Sequence, residues 1–232
     1  MRLAWCITGA GHFLKDTFDE FSVIKKSASY ITIFMSRAGE EVVRIYGLEK
    51  RLNEISDGSY MNEIFRESEE GASSPITGRL ALNRYDAVVV SPTTSNTIAK
   101  VVNGIADTLV TNIISQAGKS RIPVIVVPVD VEKSIKTKLP YRIERELCKC
   151  EICEIELICE KNAIKNRRID LNKCIGCGKC LICPNNAVRV NETVEVYLRK
   201  IDAENLEKLK RMENIYVLNS PSNIKTFLSN VV

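Results

Sequence analysis

The chain has 232 residues, 45% of them hydrophobic, and a formal net charge of +4. That length can bury one substantial core and carry a small appendage, and no apolar run reaches the roughly 20 residues of a membrane-crossing helix. Acids and bases are mixed along the chain rather than gathered into a basic stripe, so neither a membrane nor a nucleic acid is expected as a partner.

Residues 1–138 alternate strand-like and helix-like stretches. Met1–Ile7 passes too quickly into Thr8-Gly9-Ala10-Gly11 to be a secretory signal and is expected to be part of the first strand. Leu3–Thr8, Tyr30–Ser36, Ala87–Ser91 and Ile122–Pro128 are short, apolar, β-branched runs of the kind buried on both faces of a parallel sheet. His12–Lys25, Gly39–Tyr46, Asn96–Gly104 and Thr108–Ala117 are helix-compatible. The alternation predicts an α/β fold, a doubly wound parallel sheet. Trp5 and Cys6 are expected in the core, and the acidic run Glu67–Glu70 in a solvated loop.

Three turns carry chemistry. Thr8-Gly9-Ala10-Gly11-His12 leads from a strand into a helix, where backbone amides and the positive end of the helix dipole suit a phosphate. The third glycine of a dinucleotide fingerprint is replaced by Leu14. The second strand ends in Ser36-Arg37, not in the acidic residue that binds an NAD ribose, so only an NADP reading through Arg37 stays open. Ser91-Pro92-Thr93-Thr94-Ser95-Asn96-Thr97-Ile98-Ala99-Lys100 follows a buried strand and opens a helix, with Gly104–Leu109 soon after. Its hydroxyls and amide can surround a phosphate or a heterocycle edge; an ordinary helix cap at Ser95 or Asn96 is the alternative.

From 139 to 192 the pattern changes to cysteines, lysines and short turns. The chain has nine cysteines, and only Cys6 lies outside this stretch. Cys174, Cys177, Cys180 and Cys183 recur with two residues between them, with Gly176 and Gly178 to permit a tight turn and Pro184 to end it. Such a run wraps a [4Fe–4S] cubane, although the bacterial ferredoxin run has three residues before its last cysteine. Cys148, Cys150, Cys153 and Cys159 are spaced more loosely. Both runs end alike, in Cys159-Glu-Lys-Asn162-Ala163-Ile164 and Cys183-Pro-Asn-Asn186-Ala187-Val188, as an internal duplication would. The likeness to two-cluster ferredoxins, where the last cysteine of each run serves the other cluster, implies one set of Cys148, Cys150, Cys153 and Cys183. The other set is Cys174, Cys177, Cys180 and Cys159. Structural zinc and disulfides are the alternatives; a cluster site in a reducing cytoplasm is the expectation.

Residues 193–232 return to the α/β domain, with strands at Val194–Leu198 and Ile215–Leu218 and helices at Ala203–Met212 and Ser222–Leu228. The segment 139–192 is therefore expected as an insertion.

The Thr8–His12 turn, Ser36-Arg37, and Ser91–Lys100 with Gly104–Leu109 together resemble the homo-oligomeric flavin-containing cysteine decarboxylase superfamily. The likeness is to its archaeal branch of archaeoflavoproteins and iron–sulfur dihydromethanopterin reductases. Asn96-Thr97-Ile98-Ala99-Lys100 matches the family string, while Thr94-Ser95 stand where Ser-Ala is usual. The resemblance implies a flavodoxin-like fold and FMN at a subunit interface of an assembly built from trimers. By position it makes Gly9, Ala10, Gly11, Ser36 and Thr93–Thr97 the FMN contacts. His12 is the sole histidine; a turn or flavin contact suits it better than a general base. The decarboxylases' histidine position falls at Gly78, and their substrate motif is replaced by Pro128-Val129-Asp130-Val131, so peptidyl-cysteine decarboxylation is not expected.

The expected protein is then an oxidoreductase with FMN and two [4Fe–4S] clusters. It would relay electrons from a soluble, ferredoxin-like donor to a small heterocyclic acceptor. The resemblance alone points to a pterin such as dihydromethanopterin. A non-catalytic electron carrier is the second reading and a zinc-bearing, NADP-binding regulator the third.

Overall fold

Runs of Val, Ile and aromatic residues make the centre of the molecule, because strands covered on both faces must be apolar throughout. The computed structural model describes residues 1–132, 134–171 and 173–231. Strands β1 (Arg2–Ile7), β2 (Tyr30–Met35), β3 (Ile64–Arg66), β4 (Ala87–Thr93) and β5 (Val124–Pro128) come first. β6 (Ser134–Lys138), four two-residue strands β7 (Arg142–Ile143), β8 (Ile164–Lys165), β9 (Arg168–Ile169) and β10 (Val188–Arg189), then β11 (Thr193–Tyr197) and β12 (Ile215–Val217) follow. The main helices are α1 (Leu14–Ile24), α2 (Arg37–Ile45), α3 (Glu49–Ile55), α4 (Ser95–Val102), α5 (Leu109–Lys119), α6 (Lys200–Leu209) and α7 (Ile224–Val231).

Six strands form one parallel sheet in the order β3-β2-β1-β4-β5-β12. Without the short edge strand β3 the order is the flavodoxin-like 2-1-3-4-5, and the winding reverses between β1 and β4. The expected doubly wound sheet is present. Alternation along β1 sends Leu3, Trp5 and Ile7 into one core layer, with α1, α3 and α7, and Ala4 and Cys6 into the other, with α4, α5 and α6. Trp5 is fully buried, stacks on Phe21 at 4.0 Å between centroids, and donates from Nε1 to the Ser91 carbonyl at 2.8 Å. Cys6 is a core thiol whose pKa burial pushes up, as expected of a packing residue.

Two expectations change. Thr193–Tyr197 is a strand, but it pairs antiparallel with Ser134–Lys138 in a separate ribbon; the sheet and its helices resume only from α6. The alternating Thr-Val-Glu-Val-Tyr pattern has no second apolar face to bury, so the ribbon lies outside the sheet. Glu67 is not in a solvated loop. It is buried and accepts the Leu109 amide at 2.8 Å, an acidic group at the N-terminal end of α5.

The ribbon of β6 and β11 carries residues 139–192, which have a small core of their own, including Cys148, Ile155, Ile164, Cys180, Cys183 and Ala187. Each half runs strand, cysteine loop, single helical turn, strand. The first strand of each half pairs with the last strand of the other, β7 with β10 and β9 with β8. The repeated sequence has repeated geometry. Asn162 and Asn186 have φ of 48° and 47°, their amides donate to the Cys159 and Cys183 carbonyls at 2.8 and 2.9 Å, and Ala163 and Ala187 are buried.

Trp5→Ala removes a fully buried ring and the bond to Ser91. It should cost about 3–5 kcal/mol, measured as a lower midpoint in urea unfolding.

Candidate functional site

Neighbouring strands in a sheet lie about 5 Å apart, so the turns leaving β2, β1 and β4 meet at one edge, where the winding reverses. Each opens a helix there. The β1–α1 turn is held close: a Cβ on Gly9 would stand 2.5 Å from the Ala38 Cβ, and one on Gly11 would collide with the Tyr46 hydroxyl. α1 starts after Phe13, in the left-handed region at φ 61°, with no side chain capping it. Its first amides therefore lack side-chain acceptors and face the edge with the positive end of the dipole. Thr8 ties this turn to the next: its hydroxyl donates to the Pro92 carbonyl at 2.8 Å and accepts the Thr94 amide at 2.9 Å.

The structure brings Gly9, Ala10, Gly11 and His12 together with Ser36-Arg37 and Thr93–Thr97, but many of their side chains serve the fold. Ser36 caps α2, accepting the Gly39 amide at 3.1 Å. The Thr93 hydroxyl is buried and donates to the Val90 carbonyl at 2.7 Å. Thr94, not Ser95 or Asn96, caps α4 through the Thr97 amide, and its hydroxyl meets that of Thr97 at 3.0 Å. Ser95 donates to Asp130 at 2.5 Å. Arg37 and Asn96 are exposed and have no side-chain hydrogen bond or ion pair among the described residues. His12 lies against Phe13, 4.1 Å between ring centroids, on the wall of an open cavity of about 1190 Å³, the solvent at its mouth included. Val129, Lys136, Glu195 and Asn219 also line it.

All nine cysteines are free thiols. Cys159, Cys174, Cys177 and Cys180 line one cavity of about 450 Å³, mouth included. Burial pushes the Cys180 thiol up to about 11, with Cys174, Cys177 and Cys159 near enough to add to the rise. Burial likewise raises Cys153, and Cys148 and Cys183 add to it. Cys150 accepts a hydrogen bond from Asn185 Nδ2 at 2.8 Å, and Cys159 Sγ one from the Ala163 amide at 3.3 Å. Among the described residues no three His, Cys, Asp or Glu side chains converge on a single-ion site.

Sequence reasoning missed the residues that join the two regions. Gly47, at φ 69°, packs so closely on the cysteine loop that a Cβ would be 2.6 Å from the Ile175 carbonyl oxygen. A Cβ on Gly176, at φ 62°, would stand 3.0 Å from the Ile45 carbonyl oxygen. Next to Gly47, Tyr46 sets its hydroxyl against Gly11 and donates to the Lys138 carbonyl at 2.8 Å. Burial pushes its phenol pKa up, so it remains a donor. Glycine straight after a helix was the one available signal for a left-handed residue at position 47.

The profile of the Flavoprotein family matches residues 1–168. A protein of Methanosarcina mazei named dihydromethanopterin reductase (acceptor) is 51% identical over 232 residues, covering 96% of this chain and 97% of its own. One of the same name from Methanocaldococcus jannaschii is 47% identical over 238 residues, covering 99% and 96%. Coverage that complete cannot leave out the cysteine-rich segment. Among solved structures, the FMN complex of Burkholderia xenovorans DmrB, described as a cubic protein cage for redox transfer, aligns with a TM-score of 0.64 at 29% identity. That alignment spans 99% of this chain and 93% of DmrB. The expected kinship is borne out.

Gly47→Ala places a side chain against a carbonyl at a positive φ, so it should cost about 1 kcal/mol or more. Residues 139–192 should then exchange amide hydrogens and be cleaved by protease faster, while the sheet keeps its protection.

Proposed function

The chain belongs to the Flavoprotein family, and on that premise we propose that it is a flavin-dependent oxidoreductase of the dihydromethanopterin reductase (acceptor) type. It binds FMN at the β2–β1–β4 edge and two [4Fe–4S] clusters in an inserted, ferredoxin-like segment, residues 139–192. The observation that carries the reading is the Gly47–Ile175 contact, which seats one set of four cysteines against the helix whose other end opens at the phosphate turn.

The residues fit both groups. The uncapped amides of α1 and the Gly9–His12 turn suit the FMN phosphate, with Arg37 free to add a cation. Asn96 and the first amides of α4 offer donors to the ring edge. Four thiols around one cavity, with a second group of Cys148, Cys153, Cys183 and Cys150, match the crossed assignment of a duplicated ferredoxin. A cubane spreads its thiolates farther apart than a single ion does, so the lack of a single-ion site is no obstacle. When bound, the clusters supply one-electron carriage, and the flavin converts single electrons to a hydride equivalent. The chain's own part is to tune and to position. Ala163 and Asn185 donate to cysteine sulfurs, which stabilises negative charge there. Cys180, protonated at neutral pH, must lose its proton when it ligates.

The cavity beside His12 suits a planar heterocyclic acceptor such as dihydromethanopterin, with His12 contacting ligand rather than moving protons. A carrier acting only between proteins needs no such cavity, which favours the enzyme. The donor is a soluble, ferredoxin-like protein, the setting is a reducing cytoplasm, and the assembly is a homo-oligomer built from trimers with FMN at the subunit interface.

Anaerobically purified protein should contain about eight iron and about eight sulfide per chain, as two such clusters require, with about one flavin. Adding dihydromethanopterin to the reduced protein should reoxidise the flavin; a flavin that stays reduced removes this substrate. Cys177→Ala should lower the iron to about half and slow flavin reduction by ferredoxin, while dithionite still reduces the flavin.

A further inference from the structure

The hairpin joining β8 to β9 carries positive charge with no ion-pair partner among the described residues. Lys165, Asn166, Arg167 and Arg168 are exposed at its turn, with Asn166 and Arg167 at φ 51° and 56°, the left-handed pair of a tight two-residue hairpin. Arg145, just ahead of the first cysteine, joins them, and among the described residues these five line an open concavity of about 820 Å³, the solvent at its mouth included. A second concavity, lined in part by Arg142, Arg145, Arg167 and Arg168, includes no acidic residue among the described residues. Four other cations of the segment are paired, Arg142 with Glu144 and Glu192, Arg189 with the same two, Lys173 with Asp170 and Lys179 with Glu160, whereas Lys149 and Lys161, like the hairpin, have no ion pair among the described residues. Among the described residues, Arg145, Lys165 and Arg168 have no ion-pair partner and no side-chain hydrogen bond. Glu156 lies at the turn, where its carboxylate accepts the Arg167 amide at 3.2 Å, and Glu144 and Glu146 flank Arg145 in sequence.

The patch is tied to the cysteines. Arg167 Nη2 donates to the Cys150 carbonyl at 2.6 Å. The loop from Cys150 to Cys159 also presents Ile152 and Leu157, 73% and 79% exposed. Apolar side chains beside a charged rim are the make-up of a protein-docking surface. The set that includes Cys174 and Cys177 is seated on α2, so the set that includes Cys150 is the outer one.

We infer that this hairpin is where an acidic, soluble one-electron carrier protein docks, placing its redox centre beside the outer cysteine set. The inference rests on the two-cluster reading above. Complementary charge raises encounter rates by about 10–1,000-fold, and that gain can be measured. One electron passes per encounter from the reduced carrier to the oxidised cluster, with no bond made or broken.

The test uses the full chain with its clusters and flavin, a strongly acidic ferredoxin, and the triple variant Arg145→Glu, Lys165→Glu, Arg168→Glu; Arg167 is kept because it holds the Cys150 carbonyl. At low salt, cluster bleaching by the reduced ferredoxin should slow by about tenfold or more and lose most of its salt dependence. Calorimetric affinity for the oxidised ferredoxin should fall in parallel. Iron, sulfide and flavin content and the rate with dithionite should not change, and the triple Gln variant should fall between. Unchanged ferredoxin rate and affinity overturn the proposal. So does equal slowing with both reductants, or saturable binding of inorganic pyrophosphate at the patch with ferredoxin unaffected. Protein devoid of iron and sulfide removes the two-cluster reading instead, and the calorimetric arm still decides whether the surface binds an acidic protein.

Discussion

Everything distinctive about this molecule depends on one close approach of two backbones, Gly47 against Ile175 and Gly176. Side chains would hold the two segments apart, and both glycines are at positive φ, where other residues are strained. The contact gives α2 two working ends. Its N-terminus, capped by Ser36, lies at the edge where three turns meet, and its C-terminus carries the cysteine loop. With nine residues the helix is about 14 Å long, and Tyr46 at its far end reaches back to Gly11. A peptide dipole of about half a charge at each end then has a consistent sense. The positive end would favour a phosphate, and if a cluster is held beside Gly176 as proposed, the negative end would disfavour added negative charge on it.

The cysteine segment is too small to be held by apolar burial alone. Its core is a handful of residues, and three of the buried ones are cysteines. Chains of this size commonly depend on a bound group for stability. Burial and mutual proximity raise Cys153, Cys174 and Cys180, so without a group to ligate these positions are neutral thiols that pack as small hydrophobes. If these thiols ligate the proposed clusters, metal would replace their protons, and folding of the segment would be coupled to cluster assembly. The ribbon of β6 and β11 and the Tyr46 bond to Lys138 then fix this unit to the sheet.

The sequence made the sheet legible because its central strands are unbroken apolar runs that only a doubly covered position can use. β3 and α3 went unseen: Ile64–Arg66 is three residues at an edge, and Glu49–Ile55 is short, so neither builds a periodic signal. The duplication in the cysteine segment was legible because Asn162-Ala163 and Asn186-Ala187 repeat in both identity and backbone shape. The strand read at Val194–Leu198 forms at Thr193–Tyr197 but in a separate ribbon, not the main sheet, since alternation tells that a strand forms and not what it pairs with. Glu67 was misread because a buried carboxylate is recognisable only through its partner, the Leu109 amide 42 positions away. Gly47 and Gly176 were invisible as a pair for the same reason.

If Thr93–Thr97 border the proposed ligand, most of their hydroxyls would mark the site without touching the ligand. Thr93, Thr94 and Ser95 spend their hydroxyls on Val90, the α4 cap and Asp130. They fix where the backbone of the turn runs and which amides remain open. A phosphate or ring edge would then meet mainly N–H groups, supplied by three helix starts, with Arg37 and Asn96 as the side chains left over. Recognition through the backbone tolerates sequence change as long as the turn keeps its shape. That is why Thr94-Ser95 can stand where a related chain has Ser-Ala, and why the glycines, which set how closely the turn approaches its neighbours, cannot be exchanged as freely.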